Sequence, residues 1–344
     1  MSTELEKLRK EIEDIDNQIL ELLHRRLKVS AKIGEIKRRT RKEVTDAKRE
    51  EYVKTYWLEK ARYLGIPESM VNLILPILFS YSKLYQISPG KKKKVVIVGY
   101  GGMSRSLTSL LTLAGHNVVI TGRNSKKAES LSRQFNAVFM EPEQALNWGE
   151  YIILALSPSA VDYISSLLSK IPQGKVVMDI FSSKASTFKQ LEEMSVKNGF
   201  KFVSTHPLFG PILYPIGERI AIIPSATSGD ITEIVEFWRD VGLQPVVTTV
   251  EEHEKTMAIV QVLTHFFVLG LNKAIPSLQK ELEISDNLLK ELQTTNFREV
   301  SKILARMSEL YPVIIEIQKS NPYAYKAREI GIMKLKQVKD ELGE

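Results

Sequence analysis

The first forty residues carry one helical rhythm. Leu5, Leu8, Ile12, Ile15, Ile19 and Leu22, then Val29, Ile33 and Ile36, recur at steps of three and four, the spacing that gathers apolar side chains on one face of a helix about thirty-five residues long. Arg26 breaks the stripe, four residues after Leu22 and three before Val29. A guanidinium on such a face costs roughly several kcal/mol unless an anion meets it. Lys37, three turns further on, shares that face. A second helix opens behind Thr45 and Asp46, which brings Asp46, Arg49 and Glu50 to one side at i, i+3 and i+4. A third starts near Pro67 and runs to about Gln86, with Ser82 and Gln86 on one face and Pro76 expected to kink or divide it. Three helices so unequal in length do not close a core alone, and pairing with a second copy would complete one.

From Val95 the rhythm changes. Short β-branched runs at 95–98, 117–121, 151–156, 176–180 and 202–205 alternate with helical stretches, the signature of a doubly wound, parallel α/β sheet. The first run enters Gly99-Tyr100-Gly101-Gly102-Met103-Ser104, a glycine-rich strand-to-helix turn of the dinucleotide-binding kind, with serine at its third glycine position. After about residue 253 the pattern is helical to the end, punctuated by Pro276, Pro312 and Pro322. Three domains follow: an all-α unit over 1–90, an α/β Rossmann-type unit over 91–250, and an all-α unit over 251–344.

Composition narrows the chemistry. The 344 residues are 43% hydrophobic and 26% charged, as in an ordinary globular protein. No uninterrupted apolar run reaches membrane-spanning length and the N-terminus has no signal-peptide pattern, so a cytoplasmic location is expected. The absence of cysteine and the five scattered histidines exclude thiolate sites and argue against a metal enzyme. A net charge of +7 favours anionic partners, nucleic acid or small polycarboxylates. The second strand ends in Gly122-Arg123-Asn124 rather than an acidic residue. Arg123, backed by Lys126 and Lys127, suits a ribose 2'-phosphate, so NADP is expected over NAD. Gly99, Tyr100, Gly101, Gly102, Met103, Arg123, Asn124 and Ser157 form the expected cofactor set. Ser182 and Lys184 follow one strand end and His206 another, within His206-Pro207-Leu208-Phe209-Gly210-Pro211, where open sheets bind ligands. A histidine at that edge is a candidate acid or base.

Two resemblances attach to these residues. Arg9, Arg26, Lys37, Asp46, Arg49, Glu50, Ser82 and Gln86 are similar in type and spacing to the active-site set of the all-helical chorismate mutases, in which paired protomers exchange an arginine, here Arg9. The resemblance implies that Arg9, Arg26 and Arg49 hold carboxylates with help from Ser82. Lys37 and Gln86 would donate to the ether oxygen, and Glu50 with Asp46 would hold the ring hydroxyl. The segments at 181–184, 206–211, 252–253, 261–266 and 294–298 resemble prephenate dehydrogenases. There the resemblance makes His206 the base, Ser182 the residue that orients it and Arg298 the grip on a carboxylate. Lys184 would lie near cofactor and substrate, His265 would play a lesser part, and the helical unit over 251–344 would be the dimerisation and substrate domain. Together they imply an isomerase feeding an NAD(P)-dependent oxidoreductase of tyrosine biosynthesis, with chorismate and prephenate as ligands and a homodimer as the assembly. Arogenate is the alternative substrate. A different reading takes the basic helices as a nucleic-acid or dimerisation module on a dinucleotide sensor, but Asp46, Glu50 and Gln86 interrupt what would be a uniformly basic face. A coiled coil with a snorkelling Arg26 would also satisfy the first helix alone.

Overall fold

A computed structural model describes residues 2–87, 92–157, 160–185 and 187–343. The polar stretch Ser88-Pro89-Gly90 with Lys91, expected as a linker, lies outside them. The N-terminal unit is α1 (Ser2–Arg39), α2 (Ala47–Leu64) and α3 (Glu68–Gln86). Lys37, Arg38 and Arg39 meet the negative end of the α1 dipole. Asp46 caps α2 by accepting from the Arg49 amide at 3.0 Å, and Gly65 ends it in the left-handed region at φ +71. Pro76 does not divide α3, which continues through it as one helix.

The unit's own core is small: Ala61, Val71, Leu75 and Leu78, with Leu23 and Trp57 against them. The apolar stripe of α1, from Leu5 to Ile36, stays exposed. α1 is instead fastened to α3 at one close approach, because a Cβ on Gly34 would collide with the backbone of Gln86. Gly34→Ala is therefore expected to cost about 1–3 kcal/mol of stability. Urea unfolding of the variant beside the wild type checks this, and an unchanged midpoint would contradict the packing.

The central sheet has eight strands, in the order β3-β2-β1-β4-β5-β6-β7-β8. They are β1 (Lys94–Val98), β2 (Asn117–Thr121), β3 (Val138–Phe139), β4 (Tyr151–Leu154), β5 (Val176–Asp179), β6 (Lys201–Pro207), β7 (Arg219–Pro224) and β8 (Gln244–Val247). The expected parallel order holds for β1 to β6. β7 then runs antiparallel to β6, so the sheet is mixed. Helices α4 (Gly102–Leu113), α5 (Ser125–Gln134), α6 (Pro142–Trp148), α7 (Val161–Leu168), α8 (Phe188–Asn198) and α9 (Thr232–Asp240) cover it. Alternate residues of β1 feed opposite cores, Val95 and Ile97 one, Val96 and Val98 the other.

The C-terminal helices are α10 (Val250–Met257), a π-helical segment (Ala258–Leu263), α11 (Thr264–Glu281), α12 (Asp286–Glu291), α13 (Thr295–Ser320) and α14 (Ala324–Glu341). Pro276 and Pro312 lie inside α11 and α13 rather than between helices. Contrary to the expectation that no apolar run reaches membrane-spanning length, the continuous helical run Val250–Glu281 is by length and composition apolar enough to cross a membrane. Its Ile259, Val260 and Leu271 are exposed, while His253 and Glu254 at its start are buried.

The N-terminal unit docks on the α/β unit. Ile87, just past α3, joins the core cluster that contains Trp238 and Val241, and its tip fills the space where Gly242 lacks a Cβ. Gly217, in the loop between β6 and β7, lies against Thr45 and Lys83. The same loop reaches α4, where the Tyr214 amide donates to Ser109 Oγ at 3.0 Å and Pro211 abuts Gly102.

Candidate active sites

Seven of the eight polar positions expected in the helical unit line one cavity of about 380 Å³: Arg26, Lys37, Asp46, Arg49, Glu50, Ser82 and Gln86. The Arg26 guanidinium reaches across to α3, donating to Ser82 Oγ and, at 3.3 Å, to the Leu78 carbonyl. That anchorage accounts for its place on an apolar stripe. Burial pulls its pKa down, and burial does the same to Lys37 against the opposing pull of Asp46 and Glu50. Lys37 Nζ donates to the Val44 carbonyl at 2.7 Å, while Arg49 lies over the Tyr52 ring at 4.8 Å. Lys83, not singled out in the sequence, also lines the cavity and pairs with Glu50 at 2.9 Å. Arg26, Lys37, Arg49 and Lys83 against Asp46 and Glu50 give a formal charge of +2 (four minus two), suited to a dianion. Gln86 Oε1 and Thr45 Oγ1 are buried without partners among the described residues. Arg9 is exposed and lies roughly 25 Å up α1 from Arg26. Its own chain therefore does not bring it to this cavity.

In the α/β unit the turn after β1 fits a dinucleotide. Gly99 takes φ +135, and a Cβ there would strike the Ala155 carbonyl. Gly101 caps the N-terminus of α4 with open space where a Cβ would stand, so backbone amides face an unobstructed anion position. Ser104, at the third glycine position, is wholly buried, its Oγ without a partner among the described residues. Tyr100 packs under Gly122, and Met103 packs against the core. Arg123 lines a cleft with Tyr100 and Ser157 and lies over the Tyr163 ring at 5.2 Å. Lys126 and Lys127 line the adjoining cleft with Arg105, a cation the sequence reading missed. Asn124 caps α5, accepting from the Lys127 amide at 3.0 Å. Between the glycine turn and α13 a third cleft holds Ser157, Ser182 and Glu316. Ser157 donates to Glu316 at 3.1 Å, and burial raises the Glu316 pKa.

His206 lies at the end of β6, 2% exposed. Its Nδ1 is 2.9 Å from Nε2 of His253 on α10, and His253 Nδ1 is 3.3 Å from Glu254 Oε1. Burial first, then the neighbouring Lys184 and His253, hold the His206 pKa well below the usual histidine value. Ser182 lines the neighbouring cleft, and no hydrogen bond joins it to His206 among the described residues. The partner at Nδ1 is His253 instead. Lys184 also departs from expectation. It is completely buried, with Nζ donating to Asp179 at 2.6 Å and to the Thr205 carbonyl at 2.8 Å. Asp179 further accepts from Ser204 at 2.5 Å. Lys184 thus ties the ends of β5 and β6 together beneath His206, and its ammonium is spent on protein acceptors. Arg298 is exposed in the first turn of α13, outside these clefts. His265 is half-buried, its Nδ1 without a partner among the described residues and its pKa lowered by burial. Among the described residues no cluster of side chains suited to a metal occurs.

The helical unit thus holds a cationic cavity, and the α/β unit a dinucleotide-type cleft with a buried histidine nearby. Residues 8–87 match the family "Chorismate mutase type II", and residues 94–183 match "NADP oxidoreductase coenzyme F420-dependent". The chain is similar to a "Probable arogenate/prephenate dehydrogenase" of Methanocaldococcus jannaschii, 26% identical over 71% of this chain and 55% of that protein. It therefore spans just over half of that relative's length. It is also similar to a "T-protein" of Enterobacter agglomerans, 23% identical over 93% of this chain and 84% of that one. Its fold matches prephenate dehydrogenase from A. aeolicus, solved with hydroxyphenyl propionate and NAD+, with a TM-score of 0.56 and 18% identity over 74% of this chain and 93% of that one. Residues 8–87 thus bear the likeness to type II chorismate mutases, and the remainder of the chain is similar in fold to prephenate dehydrogenase.

Proposed function

We propose that the chain rearranges chorismate to prephenate in the helical cavity and oxidatively decarboxylates prephenate to 4-hydroxyphenylpyruvate in the α/β unit. The observation that carries the reading is the assembly of seven expected polar side chains into one cavity of formal charge +2. Rearrangement of a dicarboxylate needs no base or nucleophile, only a held conformation and donors for the ether oxygen. Arg26 and Arg49 grip carboxylates with Ser82 beside them. Lys37 and Gln86 meet the ether oxygen, and Glu50 and Asp46 hold the hydroxyl. Arg9 of a second protomer completes the site, and the exposed α1 stripe with the exposed face of Val250–Glu281 gives that protomer its surface. The assembly is a cytoplasmic homodimer.

In the second step a bound nicotinamide dinucleotide supplies the hydride acceptor. His206 takes the proton of the ring hydroxyl as hydride leaves the carbon that bears it, and departure of the carboxylate as carbon dioxide leaves its electron pair to make the ring aromatic. Arg298 and His265 hold the substrate, Arg298 again across the protomer boundary, and Ser182 faces the reacting groups from the cleft wall. A coupled assay from chorismate, following 4-hydroxyphenylpyruvate, tests the whole reading, and absence of turnover at either step refutes that half. The M. jannaschii relative's description also covers arogenate. A higher kcat/KM on arogenate than on prephenate would replace the substrate and keep the fold.

NADP is the proposed cofactor, held by Arg123 with Lys126 and Lys127. A charge-assisted contact to a 2'-phosphate predicts that Arg123→Ala lowers kcat/KM for NADP about 10- to 100-fold and for NAD little. Equal losses with both cofactors would rule out phosphate recognition at Arg123.

A further inference from the structure

His253 and Glu254 form a buried chain behind His206 to which no role was attached. Glu254 is 1% exposed and accepts from every side: from the Lys184 amide at 2.6 Å, from Asn321 Nδ2 at 3.0 Å, from Ser183 Oγ at 3.3 Å and, at Oε1, from His253 Nδ1 at 3.3 Å. A carboxylate surrounded by donors acts as an acceptor, so the proton between it and His253 sits on His253 Nδ1. The Nε2 of a neutral His253 then carries a lone pair. That atom faces His206 Nδ1 at 2.9 Å, and one of the two nitrogens must supply the proton. With His253 Nε2 fixed as acceptor, His206 Nδ1 is the donor. The remaining nitrogen of His206, Nε2, is left unprotonated.

We propose that Glu254 and His253 are positioning residues that hold His206 in the Nδ1–H tautomer, so that Nε2 is the basic nitrogen offered to the substrate hydroxyl. The inference rests on the reading of His206 as the base of the oxidation. When His206 accepts the proton at Nε2, its Nδ1–H bond to His253 becomes charge-assisted and strengthens. Two charged groups bear on the pair: Lys184, from the β5 to α8 turn, is paired with Asp179, and Glu254, on α10 itself, is the anion behind His253. The proton thus meets an acceptor chain that ends in a carboxylate. Asn321, at the end of α13, fixes that carboxylate through both the Glu254 side chain and its carbonyl, the latter at 2.9 Å.

His116 provides an internal contrast. Its Nδ1 accepts from the Lys93 amide at 3.1 Å, so it must be the Nε2–H tautomer. In nitrogen-15 spectra of histidine-labelled full-length protein near neutral pH, His206, identified by its loss in His206→Asn, is expected to show the Nδ1–H pattern and His116 the opposite one. His253→Leu removes the acceptor and is expected to lower dehydrogenase kcat about 10- to 100-fold with KM little changed. His253→Gln restores an acceptor and should return kcat to within about fivefold of wild type. Mutase activity of the same variants reports folding. An Nε2–H pattern for His206 in the wild type overturns the proposal, as does His253→Leu with unaltered kcat and unaltered His206 signals. If His253→Leu also loses mutase activity, the wild-type spectrum and the glutamine variant decide. A wild type that does not oxidise prephenate refutes the reading of the reaction, while the tautomer spectrum still tests the relay.

Discussion

Replacing His206 with asparagine is expected to lower kcat for prephenate oxidation about 10²- to 10⁴-fold while chorismate rearrangement proceeds at the wild-type rate. The size follows from loss of a positioned base whose environment keeps it neutral: burial first, then Lys184 and His253. The sign of the pH dependence follows too. A histidine whose pKa is held well below the usual value is already unprotonated through the neutral range and below it, so wild-type kcat/KM should stay level as pH falls through 6.5. Activity that halves near pH 6.5 would mean that His206 titrates as an ordinary solvent-exposed imidazole. Asparagine keeps a polar atom near Nδ1, so its contact to His253 protects the fold. Unaltered oxidation by His206→Asn would remove the histidine from the chemistry.

Arg26→Ala is expected to do the converse: a loss of about 10²- to 10³-fold in mutase kcat/KM, with oxidation of supplied prephenate within twofold of wild type. Arg26 crosses from α1 to α3 to reach Ser82 and the Leu78 carbonyl, and its fork is already aimed before substrate arrives. Arg26→Lys keeps the charge but loses the planar pair of donors, so most of the deficit should persist. If lysine restores full activity, a point charge suffices and the bidentate grip is wrong. If alanine keeps more than a tenth of the activity, the cavity is not the mutase site.

The helical site was legible because its signals are local. A polar residue out of register on α1, and pairs at i, i+3 and i+4 on α2, can be read from spacing alone. The cavity then follows wherever three helices meet. Lys83 escaped because its partner Glu50 is on another helix, and Arg9 shows its purpose only if a second protomer is present. The sheet was legible up to β6 for the same reason. β3 has two residues, and β8, with Pro245, has little apolar pattern to show. β7 had the pattern in Ile220, Ala221, Ile222 and Ile223 but follows no helix, so the alternation that revealed the others passed over it. Lys184 and His253 were misjudged or left without a role because their meaning is tertiary. One is buried against a carboxylate five residues earlier, across a tight turn. The other reaches back 47 positions to the strand it supports.

Ile87 gives the two halves a seam that is not where the chain would be cut. The polar residues that follow it invite separation of the mutase from the dehydrogenase there, yet Ile87 is seated in the dehydrogenase core over Gly242. A fragment beginning at the lysines would carry an open socket beside Trp238, and one ending at Gln86 would lack its plug. Domain exchange between such fusions therefore has to carry residue 87 with the partner that buries it, whichever half encodes it.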